Sequence, residues 1–240
     1  MMSEFTPHFA PVVVLLFLGT ALITGVSFLV LFYGAVRGSS FFAKLGAGAV
    51  FMTVTGYLIL LGGVSFASTE KVLPAGGWKY FCEIDCHTAY SVIGAQTAEA
   101  LGPEMQQTAA HGKFIIVQMK TWFDERTISS HRGNGLLTPN PRKVVLVDDT
   151  GRRFEPSADG QAAFGRLGNA STSLSAALRP GESYTTNFVF DVPEGARGLR
   201  LLITQDDAET RLMIGHENSL LHKKIYFSVD SAPPLAKAAQ

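Results

Sequence analysis

Residues 10–35, APVVVLLFLGTALITGVSFLVLFYGA, contain no charged side chain, and neither do residues 45–69, LGAGAVFMTVTGYLILLGGVSFAST. Each run exceeds the roughly 20 residues that a helix needs to cross the hydrocarbon core of a bilayer. Two such runs in tandem are hard to bury inside a soluble domain of this size. The sequence therefore predicts a helical transmembrane hairpin over residues 10–68.

The N-terminal residues 1–9 lack the basic stretch of a signal peptide, because they contain one acidic residue and no lysine or arginine. The first apolar run is also longer than a signal-peptide core, so we expect both helices to be retained. Glycines in the two runs predict close packing of helices, within the hairpin or against membrane-embedded partner subunits. These glycines are Gly19, Gly25, Gly46, Gly48, Gly56, Gly62 and Gly63.

Charge around the hairpin predicts its orientation. The connector between the two runs carries Arg37 and Lys44, whereas residues 1–9 carry no basic residue. The positive-inside rule places this connector in the cytoplasm, although Lys71 and Lys79 beyond the second run weigh in the other direction. We therefore predict two spans in a bacterial inner membrane, with residues 1–9 extracytoplasmic and the C-terminal part in the periplasm.

Residues 78–230 are predicted to form one domain, after a linker over residues 69–77 and before a disordered tail over residues 231–240. Apolar residues in the domain recur with a period of two, and Gly, Pro and Asp separate the apolar runs, which is typical of an all-β antiparallel sandwich. The Ala/Ser/Gly-rich segment 157–178 is compatible with a short helix or a long loop. The predicted strands are 89–98, 113–123, 142–149, 183–192, 198–206 and 224–229.

Three turn motifs follow these strands: DDTGRRFEP at Asp148–Pro156, LRPGE at Leu178–Glu182 and FDVP at Phe190–Pro193. In this order they resemble the uncharacterised immunoglobulin-like domain of many bacterial lipoproteins and membrane-anchored exported proteins. The resemblance implies an immunoglobulin-like β-sandwich. That family is a scaffold for binding and stability without shared catalytic residues, so the resemblance implies no reaction.

The chain has two cysteines, in the stretch FCEIDCH that ends at His87. Outside the cytoplasm thiols tend to be oxidised, so a local disulfide between Cys82 and Cys86 is one interpretation. In an extended strand, residues four apart lie about 13 Å from each other. A disulfide therefore requires the chain to turn in this stretch.

A metal site is the second interpretation of the same stretch. Two thiolates and an imidazole from Cys82, Cys86 and His87 would suit copper or zinc. Further ligands would come from the stretch MIGHENSLLHKK (213–224), which offers Met213, His216, Glu217 and His222. In immunoglobulin-like sandwiches the first and last strands can run side by side and parallel, which would place the two stretches at one end of the domain.

Two comparisons with known layouts leave the cysteine chemistry open. Two N-terminal spans followed by a periplasmic sandwich are similar to the copper-bearing subunit II of haem–copper oxidases, but Tyr90 and Ile93 stand where its motif has His and Met, so the copper motif fails. Covalent haem c on Cys82 and Cys86 with axial His87 is the interpretation we favour least, because a strand-rich domain is an unusual host.

The remaining features bear on the class of function. The 20 basic and 20 acidic residues balance, which argues against nucleic-acid binding. There is no G-x-S-x-G, phosphate loop or H-E-x-x-H motif. We therefore expect a non-enzymatic accessory subunit of a larger membrane complex, such as a respiratory chain or photosynthetic reaction centre, with a periplasmic protein partner. The alternative is a copper-binding electron carrier or copper-handling protein that uses Cys82, Cys86, His87 and His216.

Overall fold

The protein was analysed as a computed structural model that describes residues 4–5, 10–81, 87–129, 131–169, 171–205 and 208–235. The chain forms two compact units. The hairpin unit contains His8–Thr69 and Asp207–Lys223, and the β-rich unit contains Met1–Pro7, Glu70–Asp206 and Lys224–Gln240.

The hairpin unit is built on two long helices. Helix α1 covers Ala10–Val36 and helix α2 covers Ser40–Ala67. Both are long and apolar enough to cross a membrane, and most of their large apolar side chains are exposed. The prediction of two long apolar N-terminal helices is therefore confirmed.

The two helices contact each other most closely at Gly34 and Gly46. A Cβ atom built on Gly46 would lie 2.4 Å from the Leu31 backbone nitrogen, and one built on Gly34 would lie 2.3 Å from that of Ala43. These approaches are closer than any side chain tolerates, so glycine is required at both positions. The six other glycines predicted at helix contacts have nothing within 4 Å of such an atom: Gly19, Gly25, Gly48, Gly56, Gly62 and Gly63.

Replacing Gly46 with leucine should separate the helices, because the new side chain would occupy the position of the Leu31 backbone. We expect a loss of about 1–3 kcal/mol in the stability of the hairpin, the usual cost of overpacking. SDS titration of the purified full chain, followed by the helical circular dichroism signal, measures this loss. Gly48→Leu adds the same side chain where there is open space. Equal effects of the two substitutions would contradict the assigned contact.

A second part of the hairpin unit comes from far along the chain. Residues 208–223 begin with a 3₁₀ helix, Ala208–Leu212, and contact the C-terminal half of α2. The Tyr57 hydroxyl donates to the Leu212 carbonyl at 2.7 Å, and the Ser65 and Ser219 hydroxyls lie 3.4 Å apart. The Lys223 backbone N–H donates to the Ser68 hydroxyl at 2.9 Å. Polar contacts therefore join this segment to about three turns of α2.

The β-rich unit consists of two five-stranded sheets in the described part of the chain. The first sheet has the order β1-β3-β4-β5-β8 and the second the order β2-β10-β9-β6-β7. Pairing is antiparallel except between β1 and β3 and between β2 and β10. The strands are β1 (Glu4–Phe5), β2 (Lys71–Leu73), β3 (Trp78–Tyr80), β4 (Thr88–Leu101), β5 (Thr108–Phe123), β6 (Lys143–Val147), β7 (Arg153–Phe154), β8 (Ser183–Val192), β9 (Arg200–Thr204) and β10 (Ile225–Ser228).

One apolar core joins the two sheets. Val117 and Phe190 of the first sheet and Leu201 and Phe227 of the second are fully buried in the same cluster. On the other face of the first sheet, the short helix α3 (Ala158–Gly165) packs against β5 and β8. The prediction of a C-terminal domain rich in antiparallel strands is confirmed, and segment 157–178 contains a short helix followed by turns.

The ends of the domain differ from the predicted boundaries. Strand β2 lies inside the predicted linker 69–77, and β1 lies ahead of the hairpin. Runs of two or three residues are too short to show a period, which is why these strands were not predicted. Part of the predicted disordered tail packs on the domain: the Pro233 carbonyl accepts from the Ala95 backbone N–H at 2.9 Å, and Leu235 contacts the second core cluster. Residues 236–240 lie outside the described residues.

The turn Asp148–Pro156 is held by one buried carboxylate. Asp148 accepts hydrogen bonds from the backbone N–H and hydroxyl of Thr150 and from the backbone N–H and Nε of Arg152, at 2.7–3.0 Å. Gly151 has φ of +84°, which favours glycine. Burial of Asp148 opposes its charged form, but these hydrogen bonds outweigh burial and lower the pKa of its carboxyl to about 2.

This lowered pKa predicts a pH-dependent stability. The ordinary pKa of Asp is about 3.9, so charged Asp148 stabilises the fold above about pH 4, and that stabilisation is lost as the pH falls towards 2. We expect Asp148→Asn to be less stable than the wild type at pH 7, with a difference that shrinks below pH 4. Urea midpoints measured across this pH range check the prediction. A difference that stays constant with pH would contradict it.

Candidate functional site

The candidate site lies where strands β3 and β4 meet, at the base of the cysteine-bearing stretch. Strands β3 and β4 run antiparallel with Tyr80 opposite Ala89, so the chain reverses direction between them. A reversal here is the condition that the disulfide interpretation requires. Both flanks are fixed in the core: Phe81 and His87 are each 8% exposed.

Asp124 is the hub of a buried polar cluster beside these flanks. It follows β5 directly and is 1% exposed. Its carboxylate accepts from the Tyr80 hydroxyl at 2.6 Å and from Nε and Nη2 of Arg126 at 2.9 and 2.7 Å. Its backbone N–H donates to the His87 carbonyl at 2.8 Å. The cluster thus connects Tyr80, which precedes the cysteine stretch, to His87, which ends it.

The charge state of Asp124 follows from these contacts. Burial disfavours the ionised carboxylate, but hydrogen bonds from Arg126 and Tyr80 and the guanidinium charge outweigh burial. The pKa of Asp124 is therefore below its usual range, and the carboxylate is ionised at neutral pH. Arg126 also lies over the Trp122 ring, 5.1 Å from its centre, which keeps the guanidinium in place.

The hydrogen bonds around His87 determine which ring nitrogen is protonated. The Thr127 hydroxyl donates to the Asp124 carbonyl at 2.8 Å and lies 2.7 Å from His87 Nδ1. Because the hydroxyl proton is used on the carbonyl, Nδ1 must be the donor to the hydroxyl oxygen. Neutral His87 therefore has its proton on Nδ1 and a lone pair on Nε2. The ring stacks on Phe123 at 5.6 Å, which fixes its plane.

Lys79 is buried in strand β3, which precedes the same stretch in sequence. It is fully buried, and its ammonium donates to the carbonyls of Ile203 at 2.9 Å and Ile225 at 3.1 Å. Lys79 lies in the first sheet and both acceptors lie in the second, so the side chain connects the sheets. Two cationic groups lie over the Phe81 ring, Lys79 Nζ at 4.9 Å and the Arg142 guanidinium at 4.2 Å from its centre.

The predicted ligands fall in different parts of the molecule. Cys82 and Cys86 lie outside the described residues. His87 belongs to the β-rich unit, whereas Met213, His216 and His222 belong to the segment of the hairpin unit. No three His, Cys, Asp or Glu side chains of the described ranges come together in a way that could hold a metal.

Local hydrogen bonds occupy both histidines of that segment. Nδ1 of His216 accepts from the Asn218 backbone N–H at 3.0 Å, and Nδ1 of His222 lies 2.7 Å from the Lys223 carbonyl. The strand arrangement also differs from the one that the metal-site prediction assumed. In that prediction the first and last predicted strands run side by side. The last strand, β10, pairs in parallel with β2, whereas 89–98 belongs to β4 in the other sheet. Strand β2 was not predicted because it has three residues.

Sequence reasoning missed the polar and charged residues that contact the two flanks of the cysteine stretch, at Tyr80, Phe81 and His87. Tyr80, Asp124 and Arg126 form the cluster, and Lys79 and Arg142 flank the ring of Phe81. Only the pair Asp124 and Arg126 had a local signal, since an Asp two residues before an Arg can cap a turn with its side chain. Chemically, a hydrogen bond from Nδ1 to an oxygen is the outer contact that orients an imidazole as a metal ligand.

No family model matches the chain, and no curated protein matches it. Two solved structures are similar to part of it. A conserved hypothetical protein from Bacillus anthracis is 16% identical, with 52% of this chain and 88% of that chain covered and a TM-score of 0.38. The yjhA protein from Bacillus subtilis is 12% identical, with 65% of this chain and 98% of that chain covered and a TM-score of 0.38. Likeness at this level supports no conclusion about fold or function.

Proposed function

We propose that the protein is a non-enzymatic, membrane-anchored accessory subunit of a larger membrane complex. In this proposal the hairpin docks against membrane-embedded partner subunits. The β-rich unit is an immunoglobulin-like sandwich of the family that the turn motifs resemble, and it contacts a periplasmic protein partner. The protein resides in the bacterial inner membrane with both termini in the periplasm.

The observation that carries this proposal is the open glycine face of α2. At about 100° per residue, Gly48, Gly56, Gly62 and Gly63 fall within about 120° of the helix surface, whereas Gly46 points to the other side, towards α1. Lipid contact does not require glycine. A glycine-rich face without side chains against it is the surface that a partner helix uses for close approach.

Placement on the extracytoplasmic side has two supports. The basic residues Arg37 and Lys44 lie in or next to the connector, where the positive-inside rule predicts the cytoplasm. Strand β1 precedes the hairpin and pairs with β3, which follows it, so both ends of the hairpin lead to the same unit. A reporter that is active only outside the cytoplasm should therefore be active when it is fused after Gln240.

An electron-transfer complex, such as a respiratory chain or photosynthetic reaction centre, is the proposed host. This choice rests on the layout shared with oxidase subunit II, two spans followed by a periplasmic β-rich domain, and is an analogy. Purification of the tagged chain from native membranes in a mild detergent tests it. We expect co-purification with integral membrane subunits that contain redox cofactors, and migration as a free monomer would contradict the proposal.

Paired substitutions show whether the glycine face makes the contact. Gly56→Leu with Gly63→Leu fills the open face of α2 and should abolish co-purification while the hairpin remains folded. Gly19→Leu adds an equal side chain to α1, also in open space, and should leave the complex intact. If both changes leave the complex intact, the partner does not use this face.

A copper-binding electron carrier is the second candidate, and the orientation of His87 favours it. His87 immediately follows Cys86 in sequence, and the hydrogen bond between its Nδ1 and Thr127 resembles the outer hydrogen bond that orients metal-bound histidines. Cys82, Cys86 and His87 would supply the ligands, with His216 as the fourth ligand of this proposal.

Elemental analysis and an absorption spectrum of the purified chain decide between the candidates. A thiolate–copper band supports the carrier, a c-type haem spectrum would support the haem interpretation, and a colourless protein without metal or reactive thiols supports the disulfide.

A further inference from the structure

The segment between β9 and β10 shares the hairpin unit with the apolar helices, and its depth in a membrane can be inferred from them. Two aromatic pairs join α1 and α2: Phe17 with Tyr57 at 6.5 Å and Tyr33 with Phe42 at 5.6 Å. Along either helix the two pairs are about 23 Å apart. Tyrosine concentrates at the two faces of a hydrocarbon core about 30 Å thick, so Tyr33 and Tyr57 lie near its two boundaries.

Tyr57 therefore lies near the boundary towards the C-terminal end of α2, and the segment starts there. The Tyr57 hydroxyl contacts the Leu212 carbonyl, while Ser65 and Ser68, two to three turns further out, contact Ser219 and Lys223. The segment thus follows α2 outward from the hydrocarbon boundary. The headgroup layer adds roughly 6 Å on each side of the core, so it covers the inner part of this range. Ser65 and Ser68 lie about 12 and 16 Å beyond Tyr57 along α2, at or beyond the outer edge of that layer.

Two properties of this region argue against a location of the segment in bulk water or in the hydrocarbon core. The segment includes Glu209, Arg211 and Glu217, and charged side chains are costly inside the hydrocarbon. On the same turns of α2, however, Ile59 and Phe66 are 67% and 76% exposed, which is unfavourable in water. The headgroup layer suits both, since it accepts charged groups and adjacent apolar surface.

The apolar side chains of the segment are also exposed. Leu212, Leu220 and Leu221 are 42%, 51% and 65% exposed. Leu221 has φ of +64°, the one positive φ outside glycine among the described residues, where glycine would be the relaxed choice. An exposed leucine that is kept in a strained conformation indicates that its side chain has a contact outside the chain.

We propose that residues 208–223 form an interfacial membrane segment that crosses the headgroup layer next to α2. Leu212 reaches the acyl boundary, and Leu220 and Leu221 lie in the headgroup layer. Two acidic residues, Glu209 and Glu217, balance two basic ones, Arg211 and Lys223, so attachment does not depend on anionic lipid. This inference rests on the membrane insertion of the hairpin that the proposed function includes.

Depth measurement with site-specific spin labels tests the inference. A ketone-bearing amino acid replaces Leu212, Leu220 or Leu221 in the full chain and is coupled to a nitroxide, which leaves both cysteines unmodified. The labelled protein is reconstituted in phosphatidylcholine bilayers, with and without phosphatidylglycerol. Relaxation by oxygen reports lipid, and relaxation by a water-soluble nickel chelate reports water. Met52, exposed in α2, is the lipid control, and Met105, exposed in the β-rich unit, is the water control.

The inference predicts a gradient that is the same in both lipids. The ratio of oxygen to nickel accessibility should fall from Met52 through Leu212 to Leu220 and Leu221, with Met105 lowest. If Leu212 and Leu221 match Met105 while Met52 remains in lipid, the interfacial segment is wrong and the anchor stands. If Met52 itself contacts water, membrane insertion fails instead. If neither reagent reaches the labels on the leucines, these side chains are covered by protein, which would also overturn the inference.

Discussion

Replacing Lys79 with alanine is expected to destabilise the β-rich unit by about 3–5 kcal/mol, the range seen when a buried charged group with fixed partners is removed. The ammonium connects the two sheets, because it leaves the first sheet and donates to the carbonyls of Ile203 and Ile225 in the second. Alanine removes both hydrogen bonds and leaves a cavity where the long side chain was fully buried.

Two matched substitutions separate these contributions. Lys79→Met keeps most of the volume and removes only the donor, so we expect a smaller loss of about 1–3 kcal/mol. Lys143→Ala removes a lysine whose side chain is 49% exposed and should change stability by less than about 0.5 kcal/mol.

Tryptophan emission during urea unfolding of the detergent-solubilised chain measures the effect of each substitution. The chain has two tryptophans, and Trp78 and Trp122 both lie in the β-rich unit, so the signal reports that unit. A Lys79→Ala variant as stable as the Lys143→Ala control would show that the connection between the sheets does not depend on this ammonium.

Local periodicity was sufficient for the long elements. Strand β8 has the bounds predicted for it, 183–192, because Tyr184, Phe188 and Phe190 are spaced by twos and fours along it. The helices were predicted from the uncharged runs alone. Strands of two or three residues, such as β2, were not predicted because their pairing with distant strands, and not their own pattern, defines them.

The candidate site depended on contacts that no local pattern encodes. Lys79 contacts carbonyls more than 120 residues later in the chain, and Tyr80 contacts Asp124 across the sheet. The segment 213–224 was predicted to lie beside the cysteines from an assumed strand order. Residues 208–223, which include most of this stretch, contact Tyr57 and Ser65 through hydrogen bonds between polar groups about 155 residues apart, which the apolar pattern of α2 does not reveal.

Asp124→Ala is expected to cost about 3 kcal/mol, because the buried Tyr80 hydroxyl loses its acceptor and the Arg126 guanidinium loses its partner. Asp124→Asn keeps one acceptor oxygen and should cost less. The same unfolding measurement, at pH 7, gives both values.

The pH dependence distinguishes a role of the charge from a role of packing. Because the folded pKa of Asp124 is lowered, its charged form stabilises the protein above the ordinary Asp pKa of about 3.9, and this contribution is lost as the pH falls below that value.

The position of Asp124 makes its removal informative about the cysteine stretch as well. Its backbone N–H donates to the His87 carbonyl, and its own carbonyl accepts from Thr127, the residue that orients the His87 ring. Asparagine keeps a side-chain acceptor that holds these backbone contacts in place, so Asp124→Asn should retain the native chemistry of Cys82 and Cys86, whether disulfide or metal. Alanine should loosen the turn and expose the cysteines to a reductant or a chelator. If both variants and the wild type react at the same rate, the cluster does not hold the base of this stretch, and its residues stabilise only the sheet.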